Sequence, residues 1–147
     1  MIEIERANLL TALFGHWPSF HDAEVLSMRL AARGDGAPSL EVEFEVAEMS
    51  PETDDRGYYR DRCRARVHVR FSDLRRVQLH GFLYQNVLTT LQIEESGPEV
   101  YDEWFGPDEP QGRRRYRVRW DSAIGCQADF LCESVTVLAA TLVARAT

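Results

Sequence analysis

Leu9, Leu10, Leu13 and Phe14 recur at helical spacing between Ile4 and Phe14, Glu3 and Glu5 stand where a first turn favours negative charge, and Gly15 and Pro18 follow as stops. This spacing predicts one amphipathic N-terminal helix. Beyond Glu24 the period falls to two. Leu26, Met28 and Leu30 alternate with Val25, Ser27 and Arg29, Arg33-Gly34-Asp35-Gly36 reads as a hairpin turn, and Leu40, Val42, Phe44 and Val46 then oppose Glu41, Glu43 and Glu45. After a polar stretch from Ser50 to Arg60, Cys63, Ala65, Val67, Val69 and Phe71 oppose Arg62, Arg64, Arg66, His68 and Arg70. The last two runs are electrostatic complements. As antiparallel neighbours they would set Glu against Arg on a wet face, at about 0.2–1 kcal/mol for each directly opposed pair. Further strands are predicted over 74–82, 87–94, 114–121 and 126–137, the last with a phase shift near Glu133-Ser134 that suggests a bulge. The final dozen residues fit either a strand to about Val137 or a helix with Val135, Leu138 and Leu142 on one stripe, and strand is the preferred reading. The expected fold class is α+β: an N-terminal helix packed on a largely antiparallel, strongly twisted sheet of about six or seven strands.

Composition narrows the setting. A chain of 147 residues suits a single domain over 1–147, and 44% hydrophobic with 28% charged residues is the balance of an ordinary folded protein. Twenty-four acidic against 17 basic residues leave a formal charge of -7, which argues against nucleic acid as a partner and for a basic one. No run approaches the roughly 20 apolar residues of a membrane helix, and the first thirty residues lack a basic segment followed by a long apolar one. A cytoplasmic location is therefore expected, with no membrane partner. Cys63, Cys126 and Cys132 are odd in number and without CxxC spacing, so they form neither a disulfide framework nor a zinc signature; all three fall on the apolar phase of their runs.

Two segments carry candidate chemistry. His16, Trp17, Phe20, His21, Asp22 and Glu24 crowd the handover from helix to strand, but no helical or strand spacing aims three donors at one point, so no metal is expected. A His-Asp pair occurs in metal-dependent phosphohydrolases, yet those are helical and need further spaced histidines, whereas His68 and His80 lie in strand-like runs. The structural reading makes Trp17 and Phe20 core anchors and has His21 and Asp22 bonding backbone groups at the turn. No glycine-framed nucleophile and no phosphate loop is present, so no catalytic residue and no cofactor is assigned. In the basic run Arg113–Arg119, alternation separates the arginines from Tyr116 and Trp120, unlike a single-strand nucleic-acid surface. The second segment, Glu94–Glu109, holds seven carboxylates and no basic residue, interleaved with Tyr101, Trp104 and Phe105. Tyr101, Asp102, Glu103, Trp104 and Asp108 form the candidate partner-binding surface, the competing role being a lid folded over the core.

The run Leu13-Phe14-Gly15-His16-Trp17-Pro18-Ser19-Phe20-His21-Asp22-Ala23-Glu24-Val25, the alternating strands after it, and Gly81-Phe82-Leu83-Tyr84-Gln85-Asn86-Val87-Leu88 together resemble the immunity protein 50 family of bacterial polymorphic toxin systems. Order and length fit across most of the chain, and WPSFHDAEV is the specific part. The resemblance implies a small cytoplasmic protein, without activity of its own, that protects its producer by binding a cognate toxin domain. A basic toxin, such as a nuclease built to hold phosphate, would suit the acidic charge. A homodimer is left open. The competing class is a small metal- or ligand-binding, enzyme-like module using His16, His21, Asp22 and Glu24.

Overall fold

The computed structural model describes residues 2–34, 36–53, 55–57, 59–96 and 115–143. Along them run β1 (Ile4–Glu5), α1 (Asn8–Phe14), β2 (Glu24–Ala31), β3 (Ser39–Thr53), β4 (Tyr59–Ser72), β5 (Arg75–His80), β6 (Val87–Ser96), β7 (Arg115–Ile124), β8 (Gln127–Cys132) and β9 (Ser134–Leu142). The strands form one sheet in the order β1-β9-β4-β3-β2-β6-β7-β8-β5, in which only the β1–β9 pair is parallel.

The expected α+β class with six or seven strands is thereby corrected: the protein is mostly β, with nine strands in a mixed sheet and one seven-residue helix among the described residues. Two local events account for the difference. Residues 4 and 5, expected in the helix, pair with Val135 and Thr136 instead, and the Thr136 hydroxyl donates to the Glu5 carboxylate at 2.9 Å. Arg6 then takes a left-handed φ of 58°, so α1 starts only at Asn8 and has no acidic residue in its first turn. The 126–137 run, expected as one bulged strand, divides at Glu133 into β8 and β9, and β9 goes on as strand to Leu142. The helix does stop at Gly15, which adopts φ 83° and donates its N–H to the Thr11 carbonyl.

The central hairpin follows its charge pattern. β3 and β4 pair antiparallel with Glu41 opposite Arg70, Glu43 opposite His68 and Glu45 opposite Arg66, and both strands run further into the polar 50–60 stretch than alternation suggests. Glu45 lies 3.2 Å from Arg64 and 3.7 Å from Arg66. Each such half-exposed pair is worth about 1 kcal/mol or less, so the lattice sets register and partner choice more than it stabilises. The opposite face is the core: Leu40, Val42, Phe44 and Val46 of β3 and Ala65, Val67, Val69 and Phe71 of β4 are buried. Leu10 and Phe14 of α1 enter the same core, which centres on Trp120 of β7 and its neighbours Phe44, Phe71 and Phe130.

The sheet has one narrow seam. β2 and β6 share a single register pair, Glu24 opposite Val87, and the join is made by backbone bonds at the entry to β2: Asp22 N–H to Leu88 O, Leu88 N–H to Ala23 O and Val25 N–H to Asn86 O, all 2.8 Å. The segment singled out in the sequence therefore lies where two groups of strands meet.

Candidate functional site

At this seam Phe20 is buried, stacked between Trp17 (5.6 Å between centroids) and Phe44 (5.3 Å, edge to face). The polar members of the segment point outward. His21 donates through Nδ1 to the Thr89 carbonyl at 2.8 Å, its Nε2 lies 3.7 Å from Asp22, and the two side chains are 65% and 75% exposed. Asp22 holds a left-handed φ of 66°, which aspartate tolerates better than most residues. An open cleft of about 520 Å³ lies alongside, lined by Ser19, His21, Asp22, Glu24, Glu45 and Glu48 with Arg64 and Gln85 among the others. Of its four carboxylates, Glu45 is paired with Arg64 and Arg66 and Glu48 with His16 and Arg62, which leaves Asp22 and Glu24 as the negative charge outside those pairs.

His16 is not brought to His21. It donates instead to Glu48 Oε1 at 2.6 Å, while Arg62 donates to Glu48 Oε2 at 2.9 Å and to the Phe14 carbonyl at 2.7 Å, which satisfies an orphan acceptor at the end of α1. Among the described residues no group of three or more His, Cys, Asp or Glu side chains could hold a metal ion. Burial pushes the Glu48 carboxyl up, but the hydrogen bonds and charges of His16 and Arg62 outweigh it and hold the group below its ordinary 4.5. A carboxyl lowered on folding stabilises fully above about pH 4.5, and that contribution is lost as pH falls through the lower folded value. Glu48→Gln is accordingly expected to cost about 0.5–1 kcal/mol at neutral pH, small because both cations are half exposed, and the gap from wild type in denaturant titrations should close as pH drops below 4.5. A gap of constant size would show that the ion pairs are not its source.

The sequence reading missed a third feature. The β5–β6 connection, Gly81–Asn86, exposes three consecutive apolar side chains, Phe82, Leu83 and Tyr84, at 52%, 52% and 97%. Asn86 at its end is 2% exposed and ties it down: Oδ1 accepts from the Leu83 and Cys126 N–H groups and Nδ2 donates to the Leu83 carbonyl, each at 2.9 Å. Gly125, in the β7–β8 turn, lies against this residue so closely that an added Cβ would come within 3.0 Å of Asn86 and of the Gln85 carbonyl. A run of three apolar residues between Gly81 and Asn86, breaking the alternation, is the signal that marks the loop in the sequence.

Tyr101, Asp102, Glu103, Trp104 and Asp108 lie outside the described residues; their segment leaves β6 after Ser96 and re-enters β7 at Arg115. Cys126 and Cys132 are buried and Cys63 half-buried, all as free thiols. Burial pushes the Cys63 and Cys126 thiols up, with Arg62 pulling Cys63 the other way, so neither is an activated nucleophile. Among the described residues no helix is long and apolar enough to cross a membrane.

A model of the family described as Immunity protein 50 matches residues 6–142, which includes α1 and all of β2–β9. No curated protein and no solved structure matches the chain.

Proposed function

From the premise that this chain belongs to the immunity protein 50 family, we propose that it binds a cognate bacterial toxin domain and neutralises it by protein–protein contact, without chemistry of its own. Family membership over nearly the whole chain is the observation that carries this reading. The charge of -7 supports a basic toxin, because complementary potentials raise the rate of encounter. The acidic aromatic segment with Tyr101, Asp102, Glu103, Trp104 and Asp108 supplies the aromatic anchors and carboxylates that such a contact uses. The cytoplasm, where the producer's own toxin must be silenced, is its proposed location, and all 147 residues act as one domain with no cofactor.

Titration tests the mechanism. Against a toxin domain identified among the neighbouring genes, activity should fall linearly with added protein and reach its floor at one equivalent. Loss of toxin activity at a small fraction of an equivalent would mean turnover and defeat the reading. Trp104→Ala should weaken the complex about 10- to 100-fold and leave the unfolding midpoint in place. A fall in stability with binding intact would make Trp104 a core lid.

A further inference from the structure

We propose that the Phe82-Leu83-Tyr84 loop is the apolar anchor through which this chain docks a basic protein, and, on the functional reading above, that this protein is the toxin domain. Three properties separate the loop from ordinary surface. Its apolar side chains are consecutive and outward, and Tyr84 at 97% exposure makes almost no contact with its own chain. Scattered exposed apolar residues are normal, whereas clustered aromatic ones mark contact sites. Ile124, 48% exposed, lies opposite Val87, the residue at which the chain leaves the loop and enters β6.

The loop is also held in shape. The three hydrogen bonds of Asn86 fix both polar groups of the Leu83 backbone and tie them to the β7–β8 turn at Cys126. A tyrosine displayed on a braced backbone loses little freedom when it enters a partner's recess, which is how an anchor residue gains affinity.

The partner's chemistry follows from what adjoins the loop. Gln85 and Val87, at its far end, line the cleft that holds Asp22 and Glu24 together with Glu45, paired with Arg64 and Arg66, and Glu48, paired with His16 and Arg62, so that Asp22 and Glu24 carry its remaining negative charge. An apolar anchor bordered by carboxylates fits a face where an apolar recess is ringed by lysine or arginine. A second copy of this chain, with the same acids around the same loop, would meet like charge there.

The loop is far along the sheet from the two strand ends between which the acidic aromatic segment runs. The loop joins the Val87–Ile124 end of the β6–β7 hairpin, and the 97–114 segment leaves from the Ser96–Arg115 end, about 30 Å away at 3.3 Å per residue. The loop variants below leave the acidic aromatic segment unchanged, so the two contacts are separable by mutation.

The test measures affinity for an inactivated form of a toxin domain identified among the neighbouring genes, using wild type, Tyr84→Ala, the Phe82→Ala/Tyr84→Ala double variant, and Leu142→Ala as a control at another exposed apolar position. Tyr84→Ala should weaken binding about 10- to 100-fold and the double variant further, with Leu142→Ala within about twofold of wild type and all thermal midpoints alike. Wild-type affinity should fall at least about tenfold between about 50 and about 500 mM salt. If wild type binds and both loop variants match it, the toxin docks elsewhere: the anchor is refuted while the immunity reading stands. If wild type fails to bind, the immunity reading falls and takes the anchor with it. Salt-independent affinity would rule out the basic partner, and loop variants that turn a dimer into a monomer would assign the surface to a second copy.

Discussion

Trp120→Ala should lower the stability of this protein by about 3–5 kcal/mol, the range for emptying a large aromatic site in a core. Trp120 is 1% exposed and has ring neighbours on three sides: Phe44 at 5.8 Å and Phe130 at 5.9 Å, both edge to face, and Phe71 at 6.4 Å. Each edge-to-face pair adds about 0.5–1.5 kcal/mol beyond the area it buries. These rings come from β3, β4, β7 and β8, so truncating one leaves a cavity that no single strand can move to fill. Since the whole fold is worth only about 5–15 kcal/mol, the variant should unfold roughly 10 °C or more below wild type. Denaturant titration should show a lower midpoint with the slope unchanged. A loss under 1 kcal/mol would mean that the neighbouring rings collapse into the space and that the cluster does not hold the sheet faces in place.

Asn86→Ala should cost about 2–3 kcal/mol and should also weaken partner binding, although Asn86 itself is buried and cannot touch a partner. The substitution leaves the Cys126 N–H without its acceptor inside the protein, whereas the freed Leu83 groups can turn to water. The same knot depends on Gly125, whose φ of 84° and lack of a Cβ let Asn86 and the Gln85 carbonyl pack against it. Gly125→Ala should therefore destabilise by a similar amount, about 1–3 kcal/mol from the backbone alone. Because both changes break one knot, the double variant should lose less than the sum of the singles. Full additivity would show that the two positions act separately. Binding that survives Asn86→Ala at full strength would show that bracing the 82–84 loop contributes nothing to recognition.

The central hairpin shows how far alternation reads. Leu40 to Val46 and Ala65 to Phe71 fall inward, the Glu and Arg runs fall outward and meet, and Tyr116, Val118 and Trp120 turn away from Arg117 and Arg119. Arg117 instead makes a two-point contact with Asp129 of β8 at 3.2 and 2.9 Å, which raises its already high pKa. β1 shows where such reading stops. Ile4 and Glu5 have a helix-compatible pattern, but a parallel partner 131 positions away takes them as strand, and no local signal announces that partner. The 74–82 run behaves likewise: β5 ends at His80, and Phe82, placed in the strand by alternation, emerges in the exposed loop because the chain must leave the edge strand and cross to β6. In the His16–Glu24 segment the concentration of polar residues was legible, but its division was not. His16 turns to Glu48, which Arg62 also binds, and His21 and Asp22 turn to the cleft.

Side-chain phase in β3, β4 and β7, the stop at Gly15, the acidic balance and the family were thus set by the order of residues alone, whereas in β2 the irregularity between Val25 and Ser27 buries Val25 and leaves Leu30 59% exposed, against the alternation. Tertiary structure alone decided the order of the nine strands, the thin β2–β6 seam, the network around Glu48 and the display of Phe82, Leu83 and Tyr84. Those features depend on segments tens of residues apart finding each other. Period-two alternation states which way a side chain faces and is silent about which strand lies beside it.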